Sequence, residues 1–174
     1  MEEFEFSYEE GGIGMRNLKD MCMAFKYKQW WIFRSKHTLW GDFLRAKYCE
    51  RSNPISKKWD TGESLTWKHL MHNKVKIEEH IHWTINSGTC SFWWDNWLGV
   101  GPLANFSNES NRFNNNTVAD FLIEGQWNLE MVIQQAPHSM VASILDTHIQ
   151  YQQGIPDQAV WKLNSDGNFT CSFA

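Results

Sequence analysis

The stretch HIHWTINSGTCSFWWDNWLGVGPL, residues 80–103, decides how the rest of the chain has to fold. Apolar and polar residues alternate over 81–85, a tight turn is favoured at 86–88, and the run 89–94 is β-prone again, which predicts a β-hairpin. A two-stranded hairpin is marginal by itself, and each indole needs about 150–250 Å² of cover. We therefore expect helices packed on this hairpin and on its structural tryptophan cluster, which consists of Trp83, Trp93, Trp94 and Trp97.

The flanking sequence has the apolar period of about 3.6 residues that is typical of helices. Ser64, Thr117 and Asn128 are suitable N-cap residues for three of these helices. Helices are predicted at 18–34, 39–48, 64–79, 118–124, 129–135 and 139–151, and hairpins at 81–94 and 159–173. The fold class is α+β and mainly helical: a helix pair and a third helix packed on a Trp-rich β-hairpin, then further short helices and a C-terminal hairpin.

One face of each long helix is expected to be buried. In the first helix this stripe is Leu18, Met21, Cys22, Phe25, Ile32 and Phe33, and in the third it is Trp67, Leu70, Met71, Val75 and Glu78.

Composition shifts divide the chain into segments. They are an N-terminal extension (1–16), a helical domain with the Trp-rich hairpin (17–97), an Asn-rich loop (98–116), a short-helix region (117–153) and a C-terminal hairpin segment (154–174). Because the sequence stops within a β-prone run, we expect a fragment of a longer reading frame.

The composition indicates a folded intracellular protein. Eleven Trp and eleven Phe among 174 residues, with 21% charged residues, argue against disorder. No apolar run is long enough to span a membrane, and the acidic N-terminus lacks the features of a secretory signal. The four cysteines are far apart and form no C-x-x-C, which favours free thiols in a reducing compartment.

The net charge of −4 hides an uneven distribution. Residues 11–77 hold fourteen Lys and Arg against five acids. Such asymmetry favours a basic face for a polyanion, although a solvated helix surface explains it about equally well. The candidates for contact with a nucleic-acid backbone are Lys26, Lys28, Arg34, Lys36, Arg45, Lys47, Lys57 and Lys58. Trp30 and Trp31 beside these cations suggest base stacking, but aromatic residues at helical spacing are more often core.

No familiar catalytic spacing is present, and the sequence predicts no catalytic residue, no metal and no cofactor. Asp95, among the tryptophans, is either an acid of raised pKa or, more commonly, an acceptor of backbone or indole N–H groups. His69, His72, His80 and His82 form H-x-x-H and H-x-H pairs that could grip a metal ion. Surface or half-buried histidines are the commoner explanation.

The order of motifs from residue 11 to the C-terminus resembles one known family. The segments are GGIGMRNLKDMCMAFKYKQWWIFRS, LWGDFLRAKYC, SLTWKHL, HWTINSGTCSFWWDNWLGVGPL, TVADFLIEGQWN and AVWKLNSDGNFTCSF. This collinear series resembles the region downstream of the polymerase in plant non-LTR (LINE-type) retrotransposon reverse transcriptases, which include ribonuclease H-like proteins. The matching positions are Gly11, Gly12, Gly14, Ala24, Lys28, Trp30, Leu39, Trp40, Lys47, Tyr48, Trp83, Ile85, Gly88, Phe92, Trp93, Asp95, Trp97, Trp161, Gly167 and Phe169. Asn86 departs from the glycine that is common at its position, and the return strand is one residue short.

The resemblance implies a non-catalytic connector of an RNA-directed DNA polymerase polyprotein. In the family, the catalytic polymerase domain lies upstream, and the zinc-binding and ribonuclease H domains lie downstream. Residues 161–173 resemble only the opening of that zinc-binding domain, so segment 154–174 would be its truncated start. The implied partners are the neighbouring domains and an RNA or DNA duplex contacted through phosphates, with nuclear activity and no membrane. Two alternatives stay open: a free-standing Trp-rich protein–protein interaction module, and a metal-dependent hydrolase built on the four histidines.

Overall fold

The computed structural model describes residues 18–50, 52–107 and 115–170. Within these ranges lie five α-helices, four short β-strands and two 3₁₀ helices. The helices are α1 (Leu18–Ser35), α2 (Leu39–Tyr48), α3 (Leu65–Glu78), α4 (Leu129–Gln135) and α5 (Val141–Asp146), with 3₁₀ turns at Leu103–Phe106 and Val118–Phe121. The strands are β1 (Ile81–Thr84), β2 (Leu122–Ile123), β3 (Gln126–Trp127) and β4 (Gln158–Trp161). The predicted extension 1–16 lies outside the described residues, as do residues 108–114 of the Asn-rich loop.

The α+β, mainly helical fold class is confirmed. Helices α1 to α4 match their predicted bounds closely because their start signals are local. Ser64 Oγ accepts the N–H of Trp67 at 3.3 Å, and Asn128 Oδ1 accepts that of Met131 at 3.2 Å. Thr117 and Asp120 form a reciprocal capping box over a 3₁₀ turn where a longer helix was predicted. The last predicted helix, 139–151, contains only α5.

The first predicted hairpin is wrong in its strand pairing. Strand β1 pairs antiparallel with β4, with Ile81 opposite Trp161, and the run 89–94 forms no strand. The backbone N–H groups of 86, 88 and 90 donate to the carboxylate of Asp157. A carboxylate nearly seventy residues away therefore holds the predicted turn, while β4 takes the place of the predicted partner strand.

The C-terminal hairpin is only partly present. Strand β4 forms, and the predicted turn at 165–167 is made, with Gly167 at φ 72° and its carbonyl accepting the N–H of Trp161 at 2.7 Å. The described part of the return run, through residue 170, is not a strand. Residues 171–173 lie outside the described ranges.

Two hydrophobic clusters form the core. The first joins α1, α2 and α3 to Ile81 and Trp161, and the second joins the 90–104 segment to the 3₁₀ turn at 118–121, α4 and α5. Trp83 packs against both clusters, so it connects the two halves.

The predicted inner stripe of α1 is corrected in its N-terminal half. Leu18, Met21 and Phe25 are 74%, 42% and 58% exposed, and Cys22 is exposed as well. Apart from Ala24, the buried residues of α1 lie in its C-terminal half, at Trp30, Trp31 and Phe33. In α3, Val75 is exposed and Ile77 is buried in its place. The period of a helix gives a stripe but does not say how far along the helix the core extends.

Candidate nucleic-acid interface

Arg34 lies inside the protein, between α3 and the FWWDNW segment, residues 92–97. Its Nε donates to Glu78 Oε1 at 2.8 Å, and its Nη2 donates to Asp95 Oδ1. Trp30 Nε1 donates to the same Glu78 oxygen at 2.7 Å. Although burial opposes the shift, Glu78 and Asp95 raise the pKa of Arg34. The side chain is only 8% exposed and pairs with two carboxylates, and its contact with a nucleic-acid backbone stays a prediction.

The polar residues of the FWWDNW segment have structural partners. Asp95 is buried, and its Oδ2 accepts the N–H of Ser91 at 2.8 Å, which confirms the reading of this residue as an acceptor. Asn96 donates to the carbonyl of Ile81 at 3.0 Å and accepts the N–H of Gly101 at 2.8 Å. The FWWDNW segment therefore joins strand β1, helix α1 and the loop at Gly101 that follows the segment. Trp93 and Trp97 are buried in the second core cluster, and Trp83 and Trp94 are partly buried against it.

Asp157 was not singled out by the sequence. Its Oδ1 accepts the N–H groups of Asn86 and Gly88 at 2.7 and 2.9 Å, and its Oδ2 accepts that of Cys90 at 2.7 Å. These three bonds fix the 86–90 turn against the segment that enters β4. The turn signal at 86–88 was readable from the sequence, but the distant carboxylate that completes it had no local signal.

Five of the predicted lysines keep their ammonium groups at or near the surface. Lys28, Lys36, Lys47 and Lys58 are exposed, and Lys26 is partly buried. The other two predicted cations have protein partners. Lys57 pairs with Glu63 at 3.0 Å, and Arg45 donates to the carbonyl of Lys36 at 3.1 Å and to Asp42 at 2.8 Å.

Two of these lysines line an open groove of about 270 Å³, which we call the lysine groove. Its lining residues are Lys57, Lys58, Trp59, Lys68, Met71, His72 and Lys74, and none of them is acidic. The ammonium of Lys68 lies 4.5 Å from the centroid of the Trp59 ring. Lys68, His72 and Lys74 were not among the predicted contacts. The loop 52–64 brings Lys57 and Lys58 beside α3, and no local sequence pattern indicates that approach.

Lys74 holds the wall of the groove in place. Its Nζ donates to the carbonyls of Pro54 at 3.2 Å and Ile55 at 2.7 Å, and also to that of Lys57. Burial lowers the pKa of Lys74 to about 8, and Cys49 and Glu78 oppose this shift. Because Lys74 is committed to the loop, Lys58 and Lys68 are the exposed lysines of the groove.

A second cavity, of about 590 Å³, lies near the C-terminal end of α1. The residues that line it include Arg34, Lys36, Arg45, Trp31 and Trp83. Trp31 is 6% exposed and Trp30 is fully buried, so these adjacent indoles belong to the core, although an edge of Trp31 lines this cavity.

Cys49 is partly buried and lies near several cations. Burial raises the pKa of Cys49 to about 11, and the positive charges of Lys57, Arg34, Lys74 and Arg45 oppose that shift. Four cations from three helices and a loop are therefore within electrostatic range of one thiol.

The four histidines do not meet. The ring of His80 lies 5.5 Å from that of Trp161, His72 lines the lysine groove, and His69 is exposed. His82 is partly buried, and burial lowers its pKa. Across the described ranges, no three His, Cys, Asp or Glu side chains are arranged to hold a metal ion. The described residues therefore provide no set of metal ligands for the alternative of a metal-dependent hydrolase.

Comparisons of the chain with protein-family models, with curated protein sequences and with solved structures found no match. The resemblance to reverse transcriptases stays a prediction that depends on the sequence motifs alone. None of the helices in the described part of the chain combines the length and the apolar character needed to cross a membrane.

Proposed function

We propose that this chain is a non-catalytic connector of a non-LTR retroelement reverse transcriptase, an RNA-directed DNA polymerase polyprotein. It holds neighbouring domains and contacts the template–primer duplex through phosphates. The observation that carries the proposal is the lysine groove, where the exposed Lys58 and Lys68 lie beside Lys57 and Lys74 and none of the lining residues is acidic. Clustered ammonium groups bind the phosphate backbone without reading base sequence.

The internal role of the FWWDNW segment supports the same proposal. This motif carries much of the resemblance, and its aspartate and asparagine bond to Arg34, to β1 and to the adjacent loop. A motif that fixes the relative position of helices and strands suits a connector. A motif that performs chemistry would present its polar atoms to a substrate.

The proposal is tested by titrating the purified chain against a fluorescent 20-base-pair RNA–DNA duplex and following anisotropy between 50 and 200 mM salt. Each phosphate contact contributes about −0.9 to the slope of log K against log salt. Two contacts, from Lys58 and Lys68, therefore predict a loss of at least roughly 12-fold in affinity over this range. Absence of binding at 50 mM salt, or binding that salt leaves unchanged, would contradict the proposal.

The matched control is Lys162→Gln. Lys162 is an exposed lysine outside the lysine groove. Its removal should change the affinity by less than about twofold, because it makes none of the proposed phosphate contacts. An effect as large as that of removing Lys58 would indicate attraction to the overall charge and would count against a defined interface.

A protein–protein interaction module remains the second candidate function. The observation that supports it is no longer the tryptophan content. All eleven tryptophans lie in the described ranges and none is exposed, so a surface of exposed indoles is not available. The exposed apolar residues Leu18, Met21 and Phe25 on α1 favour this candidate instead. Light scattering should then detect self-association that Phe25→Ser weakens, and a monomer at all concentrations would argue against a self-associating module.

A further inference from the structure

We infer that the lysine groove takes an unpaired nucleotide, with a base stacked on Trp59 and the adjoining phosphates on Lys58 and Lys68. This inference depends on the proposed function, because it concerns the strand type bound at the same surface. It adds an unpaired nucleotide of DNA or RNA to the duplex phosphates as a ligand of the groove.

The lysine groove has an aromatic wall. Trp59 lines it among the lysines, and its Nε1 is buried. The accessible part of the ring therefore consists of carbon atoms, which offer a π surface and no hydrogen-bonding group. Such a surface accepts any base by stacking, which is how proteins bind single strands without sequence preference.

The ammonium group of Lys68 lies against the Trp59 ring. Lys68 Nζ lies 4.5 Å from the Trp59 ring centroid, so a cation already occupies the site that a base would take. A base that stacks on Trp59 displaces the ammonium, and the flexible stem of Lys68 lets it move to the adjoining phosphate. Lys58 is exposed beside the ring and has no acidic partner among the residues that line the groove.

The volume of the lysine groove also favours a single nucleotide. A groove of about 270 Å³ lies just below the range of volumes that hold one small molecule, about 300–1,000 Å³. It has room for one base and its phosphate. The bases of an intact duplex are stacked on each other and cannot reach Trp59 without being extruded. A duplex would use only the lysines of this surface.

The experiment compares three labelled ligands at 100 mM salt: a 12-residue thymidine strand, a 12-residue strand of abasic sites, and a 12-base-pair duplex. The abasic strand keeps the phosphates and lacks the bases. We expect the thymidine strand to bind at least fivefold more tightly than the abasic strand. Trp59→Leu should remove this difference, whereas Lys68→Gln should weaken all three ligands.

Trp59→Phe guards against a folding defect, because it keeps an aromatic ring and should retain most of the preference for thymidine. Circular dichroism of each variant checks that the helices remain. Equal affinity of the unmodified protein for the thymidine and abasic strands would overturn the stacking inference and leave backbone binding intact. Failure of all three ligands to bind would contradict the proposed function as well.

Discussion

Replacing Asp157 by alanine should destabilise the protein strongly. The Asp157 carboxylate accepts three backbone N–H groups, and those of Gly88 and Cys90 are buried. A buried donor left without a partner costs about 1–3 kcal/mol, so losing both gives about 2–6 kcal/mol. This is a large share of the roughly 5–15 kcal/mol that stabilises a typical domain. Asp157→Asn should cost about half as much, because its carbonyl oxygen keeps the two bonds to Oδ1.

The assay is urea denaturation followed by tryptophan fluorescence, with the free energy of unfolding taken from the midpoint and slope. Asp146→Ala is the matched control, because Asp146 is an exposed carboxylate at the end of α5 and should change stability by no more than about 0.5 kcal/mol. A cost below about 1 kcal/mol for Asp157→Ala would refute the reasoning, since it would mean that the 86–90 turn does not depend on this carboxylate.

Two further predictions concern buried groups. Arg34→Met should cost about 3–5 kcal/mol in the same assay, because it leaves Glu78 and Asp95 without their shared cation. Lys36→Met, at an exposed position just after α1, should be nearly neutral. An equal effect of the two substitutions would show that the buried ion pairs are unimportant. Burial raises the pKa of Cys49 from its ordinary 9.0 to about 11, so at pH 8 its thiolate fraction is about 90-fold below that of an unshifted cysteine. Iodoacetamide followed by peptide mapping should therefore label the exposed Cys22 well before Cys49, and comparable rates would contradict the burial of Cys49.

The helices were predictable because their signals are local. Ser64 and Asn128 bond to N–H groups three residues ahead, and α2 ends where its apolar period ends. A side chain that caps its own helix needs no knowledge of the tertiary fold. The burial of Trp93 and Trp97 was equally accessible, since large indoles beside a β-prone run need cover.

The pairing of β1 could not be predicted, because both of its determinants are remote. Strand β4 and Asp157 lie about seventy residues from the turn that they complete, and a turn signal does not say which strand returns. Arg34 was assigned to the surface for the same reason. Its charge pattern fits an exposed cation, and only the fold brings Glu78 and Asp95 to it.

The candidate site was predictable in part. Lys57 and Lys58 are adjacent in the sequence and were recognised as possible phosphate contacts. Lys68 joins them through the packing of the 52–64 loop on α3, which the three carbonyl bonds of Lys74 hold in place. Side chains that meet only through a loop anchor leave no periodic pattern in the sequence.

The most direct test of the central claim is the salt dependence of duplex binding by the double variant Lys58→Gln/Lys68→Gln. If these two exposed lysines contact phosphates, the slope of log K against log salt should fall in magnitude by about 1.8, which is about a 12-fold smaller loss of affinity between 50 and 200 mM salt. A slope equal to that of the unmodified protein would show that the phosphates lie elsewhere and would contradict the lysine groove as the nucleic-acid interface.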